Sequence, residues 1–185
     1  MASMPTIERI TPERAALFKL VRLRALLDAP TAFGGTYERE SKLSDEAWIE
    51  RAVAFKGEQR VGYLAMDQQL PCGIIGAYLG EADPQIAHVI MMWVTPSYRR
   101  SGVGGSLVNA IRAWAGHRCV RELQLMVTSV NLGAIRFYEK IGFTMGGVTE
   151  PYQNDPDIVE YQMIQTLRDG EPGRNGSGPE PGNRA

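Results

Sequence analysis

Histidine and cysteine are scarce in this chain of 185 residues: two of each, His88, His117, Cys72 and Cys119. Neither pair has the close spacing of a metal-ligand set, and the cysteines lie too far apart in sequence to suggest a disulfide framework. No resident metal is expected. An excess of one charge is also missing, since 20 Lys and Arg stand against 21 Asp and Glu. A nucleic-acid partner would want a basic surface. The local basic group Arg14, Lys19, Arg22 and Arg24 reads as the solvated face of a helix. No apolar run approaches the ~20 residues that span a bilayer. The opening Met1-Ala2-Ser3-Met4-Pro5 has neither the charged nor the apolar region of a signal peptide. These absences predict a cytoplasmic protein with neither nucleic acid nor membrane as partner.

What is present is a hydrophobic fraction of 44% beside a charged fraction of 22%, the balance of a globular protein. The length suits one domain with a real core. Residues 6–10 read as a short first strand. Thr11-Pro12-Glu13 offers a hydroxyl, a proline and an acid in the order of a helix start, and the helix runs to Asp28, where Ala29-Pro30 stops it. Residues 31–42 are irregular, with a bend at Gly34-Gly35; Phe33, Tyr37, Glu38 and Glu40 are candidates to line a pocket there. Ser44-Asp45-Glu46 opens a second helix through Trp48 and Val53. The period then changes, and 61–66, 72–79 and 86–95 read as strands. A helix over 102–117 carries Val103, Leu107, Ile111 and Trp114 on one face. Strand 122–128 follows, then a helix capped by Asn131 and ended by Gly142, then strands 143–149 and 158–167. A strand between two helices implies parallel neighbours, β4 and β5. The expected class is α/β in a mixed α+β arrangement, with about seven strands and about four helices. Residues 1–168 form the domain. Residues 169–185 lack large apolar side chains and read as a disordered tail.

The chain is organised around residues 92–107. An apolar strand ends at Thr95-Pro96, a basic turn follows, and glycines 102, 104 and 105 lead into the helix. That order exposes the first N–H groups of a helix, which lack intrahelical partners and carry the positive end of the dipole. Phosphate is their usual guest, and Arg99 and Arg100 add positive charge. The run Arg99-Arg100-Ser101-Gly102-Val103-Gly104 resembles the acyl-CoA-binding motif of the GNAT superfamily of N-acetyltransferases, Arg/Gln-x-x-Gly-x-Gly/Ala. Downstream, Asn131-Leu132-Gly133-Ala134-Ile135-Arg136-Phe137-Tyr138-Glu139-Lys140-Ile141-Gly142-Phe143 resembles that superfamily's second signature, Asn-x-x-Ala-x-x-x-Tyr-x-x-x-Gly-Phe. One helix and one strand lie between the two.

The resemblance covers about 61–167 and implies a twisted mixed sheet splayed between β4 and β5. It implies acetyl-CoA as co-substrate. Its pantetheine arm would pair with the backbone of Met92, Trp93 and Val94. Its pyrophosphate would sit on the N–H groups from Arg100 through Ser101, Gly102, Val103, Gly104 and Gly105 to Ser106. Asn131 would bind the arm, with Ala134 and Phe137 beside it, and Tyr138 would point at the CoA sulfur as the acid. Many relatives carry Glu on β5 where this chain has Met126. His88 falls where arylalkylamine-type members place a β4 histidine, which makes it the candidate base. Even numbering puts His88, Ile90, Met92 and Val94 on one strand face. Glu38 and Glu40 are alternative bases, and a site with no dedicated base is a further option.

The reaction implied is direct attack of a primary amine, on a small molecule, amino acid or peptide, on the acetyl thioester. Phe33, Tyr37 and Tyr152 are candidates for the acceptor pocket, with Glu38 or Glu40 holding its charge. A homodimer is left open. Two competing readings remain. One is a non-catalytic module of the same fold that binds acyl-CoA or a partner. The other is a nucleotide-binding fold, although the turn lacks the Lys-Ser/Thr of a P-loop and the third glycine of a dinucleotide fingerprint.

Overall fold

A computed structural model of the chain describes residues 4–167. The segment expected as a tail, 169–185, lies outside the described residues. Seven strands form one sheet in the order β1-β2-β3-β4-β5-β7-β6. They are β1 Thr6–Arg9, β2 Arg60–Asp67, β3 Leu70–Leu79, β4 Ile86–Val94, β5 Glu122–Thr128, β6 Thr144–Tyr152 and β7 Asp155–Thr166. Five helices flank it: α1 Ala15–Asp28, α2 Tyr37–Glu40, α3 Asp45–Val53, α4 Val103–Gly116 and α5 Leu132–Lys140.

Sequence periodicity places most of this correctly, with three local corrections. The segment 31–42 contains α2, a single turn capped by Thr36, whose hydroxyl accepts from the Arg39 N–H at 3.4 Å. That makes five helices where about four were expected. The stretch 150–157 is not a long connection. β6 extends to Tyr152 and β7 begins at Asp155, so only Gln153 and Asn154 turn the hairpin. The third correction is in β4. Between the pairs Gly76↔Ile90 and Ile74↔Trp93 the strand holds one residue more than β3 does. The extra residue is accommodated at Met91, which has φ +58°, the geometry of a β-bulge. A bulge reverses which face each later side chain takes. Met92 therefore packs toward one core, while Met91 and Trp93 join the other. Met92 and Val94 do not share a face with His88 and Ile90.

The central strands are buried on both sides. One core lies under α4 and α5 and contains Ile75, Leu107, Ile111, Leu123, Phe143 and Met163. The other lies under α1 and α3, built on Phe18, Leu26, Trp48, Phe55, Leu64 and Ile74. Phe18 meets Trp48 edge-on at 5.1 Å, a favoured aromatic geometry. Burying such side chains contributes about 1.5–3 kcal/mol each.

One buried charge network ties the N-terminal helices together. Arg22 of α1 donates to Glu40 through Nε at 3.1 Å and Nη2 at 2.8 Å, and Arg51 of α3 donates to the same carboxylate at 2.9 Å. Arg22 and Glu40 are only 6% exposed. Burial would raise the Glu40 carboxyl, but the hydrogen bonds and charges of Arg22 and Arg51 outweigh it and hold the carboxyl below its usual range. Removing one partner of such a pair leaves a buried charge uncompensated. Glu40→Ala is therefore expected to cost about 3–5 kcal/mol of unfolding free energy in denaturant titration. Because the folded-state value is depressed, the network's contribution is present above the ordinary carboxylate pKa and is lost as pH falls through the lowered one. The stability gap between wild type and Glu40→Gln should shrink on acidification; a gap that widens toward low pH would contradict the assignment.

Candidate active site

The two halves of the sheet meet along a short seam. β4 and β5 are parallel but register over only Ile86↔Glu122, Ala87↔Leu123 and His88↔Gln124. Past His88 the strands part, and among the described residues the β4 edge that faces β5 has no strand partner there. The opening is a cleft of about 590 Å³. His88 to Met92 line it from β4, Gln124 to Thr128 from β5, and Asn131, Ala134 and Tyr138 from α5. An unpaired strand edge beside a cavity presents backbone donors and acceptors to an amide-bearing ligand.

The turn before α4 is built as the spacing predicts, with the helix starting one residue later. Gly102 is its N-cap, with φ +95°, a left-handed conformation that glycine adopts without steric cost. No side chain caps this end. The Ser106 N–H bonds back to the Gly102 carbonyl at 3.0 Å, so Ser106 is not among the free donors. The N–H groups of Val103, Gly104 and Gly105 precede that bond and stand at the positive end of the helix. A Cβ at Gly104 would lie 3.1 Å from the Phe137 ring and 3.3 Å from Met92 Cε, whereas one at Gly105 would meet nothing within 4 Å. Gly104 thus lets α4, α5 and the bulged strand approach one another, and Gly105 leaves open space over the helix end.

The flanking side chains divide in role. Arg100 is exposed with φ +64°. Ser101 Oγ donates to the Tyr98 carbonyl at 2.6 Å, which shapes the turn. Arg99 is turned away from the helix end: it donates to the Val94 carbonyl at 3.0 Å and pairs with Asp28. The same carboxylate accepts from Trp93 Nε1 at 2.8 Å. Arg99 and Trp93 therefore brace the end of β4 against α1.

Helix α5 carries the second cluster. Asn131 Oδ1 caps it by accepting from the Ala134 N–H at 3.2 Å. Gly142 ends it with φ +97°. The Phe143 N–H reaches the Tyr138 carbonyl at 3.0 Å, and the Gly142 N–H reaches Glu139 at 3.1 Å, the two bonds of a Schellman motif. Both ends of the helix are thus locked, and with them the Tyr138 side chain. Its ring packs against Phe137 and Phe143, with centroids at 5.3 and 5.5 Å. Burial pushes its phenol well above the usual value. Among the described residues its hydroxyl has no hydrogen-bond partner. Across the cleft, His88 stacks on Tyr78 with centroids 5.0 Å apart. Burial lowers the imidazole pKa, which favours the neutral, proton-accepting form.

The acceptor candidates scatter. Phe33 lines the cleft, with the Arg22 guanidinium 4.8 Å above its ring. Tyr37 and Glu38 do not line it; Tyr37 is 40% exposed, and Glu38 pairs with Lys42 at 3.1 Å on the surface. Glu40 is held between Arg22 and Arg51, which leaves it neither a base nor a free charge for a substrate. Tyr152 is buried and donates to the Phe33 carbonyl at 2.7 Å, so it anchors the Phe33 loop from behind. Residues that periodicity did not single out line the open floor instead, among them Tyr78, Thr128, Glu150, Glu160 and Gln162. The residue 150–157 segment, read as a loop, hid the fact that Glu150 and Glu160 are strand neighbours.

The two glycines in the first turn of α4 give a sharp test. Gly105→Ala should stabilise the protein by about 0.5–1 kcal/mol, because alanine is the better helix residue and its Cβ has room. Gly104→Ala should lower the melting temperature, because its Cβ crowds Phe137 and Met92. Shifts of the same sign in thermal unfolding would refute the packing role of Gly104.

Residues 22–143 match the model of the acetyltransferase (GNAT) family. Mycothiol acetyltransferase from Thermobispora bispora is 31% identical over 130 residues, 70% of this chain and 43% of its own length. An uncharacterised N-acetyltransferase from Methanocaldococcus jannaschii is 36% identical over 59 residues, covering 32% of this chain and 26% of its own. The chain spans less than half the length of both relatives. Among solved structures, an acetyltransferase of the GNAT family from Streptococcus pneumoniae superposes with a TM-score of 0.74 at 20% identity, over 88% of this chain and 99% of that one. PaiA N-acetyltransferase from Thermoplasma acidophilum, in complex with coenzyme A, gives 0.70 at 16% identity over 89% and 100%. The parted β4 and β5, the uncapped α4 and the two motifs agree with the sequence match: the chain belongs to the acetyltransferase (GNAT) family.

Proposed function

We propose that the chain transfers an acetyl group from acetyl-CoA to a primary amine by direct attack in a ternary complex. The observation that carries this reading is one continuous cleft at the β4–β5 parting, into which Asn131, Ala134 and Tyr138 face from one side and His88 from the other. The name of the relative from Thermobispora bispora, an acetyltransferase, supports the same reaction class. The residues present fit acetyl-CoA. The N–H groups of Val103, Gly104 and Gly105 suit its anionic end, and the free β4 edge suits its amide-bearing arm.

The largest gain comes from holding amine and thioester together. A free alkyl amine has a pKa near ~10.4 and must lose a proton to attack. His88 accepts that proton, directly or through water. The new N–C bond forms at the acetyl carbon as the C–S bond breaks, and the electron pair of that bond leaves on sulfur. Tyr138, kept protonated by burial, hydrogen-bonds the sulfur as its charge grows and supplies the proton that makes the free thiol. The nitrogen gives up a second proton once the N–C bond has formed, so the ammonium loses two protons in all: one balances the proton taken up by the thiol and the other is released to solvent.

Calorimetric titration with acetyl-CoA, with ATP and NAD as controls, tests the binding half; selective acetyl-CoA binding is expected, and its absence would sink the proposal. Thiol release against a panel of amines tests transfer. Tyr138→Phe should lower kcat by about 10²-fold with little change in acetyl-CoA affinity, within the usual range for general acid–base groups. Unchanged turnover would remove the acid role.

Burial holds the His88 imidazole below its ordinary pKa, so its limb in the kcat profile should lie to the acid side of a free imidazole's. His88→Gln should abolish that limb and lower kcat. A limb that survives unchanged in the variant would reassign the base.

A further inference from the structure

The open floor of the cleft is formed by alternate residues of β5, β7 and β6. Thr128 lies directly opposite Glu160, and Glu160 directly opposite Glu150. Directly opposed residues of antiparallel strands stand on the same face, so these three side chains form one row across the sheet. All three line the cleft. Met126 and Gln162 form the next row toward His88, also opposite one another.

The row is electrostatically unsatisfied. Like charges directly opposite on a sheet are destabilising, yet neither Glu150 nor Glu160 makes an ion pair among the described residues. Thr128 is 1% exposed, and among the described residues its buried hydroxyl has no hydrogen-bond partner. Buried polar groups nearly always find partners. Among the described residues Arg22 is the one Arg or Lys on the lining, and two of its nitrogens are on Glu40. Burial, and then the charge of Glu150, raise the Glu160 carboxyl, as expected for two acids with no cation between them. Among the described residues no group of three or more His, Cys, Asp or Glu is placed to hold a metal ion. An ammonium fits better. It brings three donors to two carboxylates and one hydroxyl.

The approach to this row is apolar. Met126 and Val148 are 37% and 45% exposed on the lining, where a methylene chain would cover them. From the Gln124 row, beside His88, to the Thr128 row is four residues of β5, about 13 Å at the strand rise.

We propose that Glu150, Glu160 and Thr128 form a cation subsite, and that the acceptor is an amine carrying a second positive charge across a short methylene spacer, of the α,ω-diamine class. The assignment rests on the acetyl-transfer reading and names its substrate class. One ammonium sits on the acidic row and is not acetylated. The spacer lies over Met126 and Val148, and the other amine, deprotonated, reaches toward the parting of β4 and β5.

The test compares 1,5-diaminopentane with n-pentylamine, which shares the spacer and lacks the second charge. Binding of each to the full chain saturated with CoA, which cannot react, is measured by calorimetry with EDTA present. The expected result is a preference for the diamine of about tenfold or more that falls as salt is raised, since the charges are near the surface. In Glu150→Gln/Glu160→Gln the preference should drop to near unity, and in Thr128→Val it should fall several-fold. Glu46→Gln, at an exposed acid in the first turn of α3 that does not line the cleft, should leave it intact. Melting temperatures report whether each variant is folded. Equal binding of the two amines, binding of neither, or a preference that persists in the double variant would overturn the subsite. Failure of acetyl-CoA itself to bind would instead overturn the transfer reading, so the two failures are separable.

Discussion

The structure depends on how little β4 and β5 hold on to each other. Three registered pairs join the two halves of the sheet. A longer parallel ladder would close the cleft, and a missing one would let the halves drift. The bulge at Met91 lies three residues past His88, the last β4 residue registered with β5, and an extra residue bends a strand and increases its twist. The cavity is therefore a product of backbone geometry, and the side chains that line it are delivered by rigid elements.

Rigidity around the parting comes from several independent braces. Asp28 gathers Trp93 and Arg99, which pins the end of β4 and the following turn to α1. Gly104 allows α4 to sit against Phe137 and Met92. The Schellman bonds at Gly142 and the Asn131 cap fix both ends of α5. Each is local, and each holds a group that faces the cleft or stands next to one that does. Sites on helices and strands locked in this way hold geometry better than sites on loops.

Charge is distributed with the same economy. Where acids are buried against arginine, as at Glu40, they serve the fold and are unavailable to a ligand. Where acids lack such partners, as at Glu150 and Glu160, they face the cleft. The distinction is invisible in composition, because the formal charges of the chain nearly cancel. It arises from which strands lie side by side.

The sequence alone determined most of the elements and the two motifs, but not the single-turn α2 or the extent of the β6–β7 hairpin. Glycines 102 and 104 and the helical period after them require a strand, a turn and a helix, and that order dictates free N–H groups whatever surrounds them. Asn131 and Gly142 likewise mark the ends of α5 by local chemistry, and with them the position of Tyr138. The parallel placing of β4 and β5 was legible from the helix between them.

Tertiary structure decided what local rules do not encode. The bulge at Met91 broke the alternation that even numbering assumed, because a register slip depends on the partner strand. Glu40 left the list of acceptor candidates through contact with Arg22 and Arg51, and Tyr152 was turned to the Phe33 carbonyl by the packing of the hairpin tip. The acidic row joined residues of two strands across a turn. Each of these is a long-range juxtaposition, and a single sequence read along its length carries no signal for which distant residues will touch.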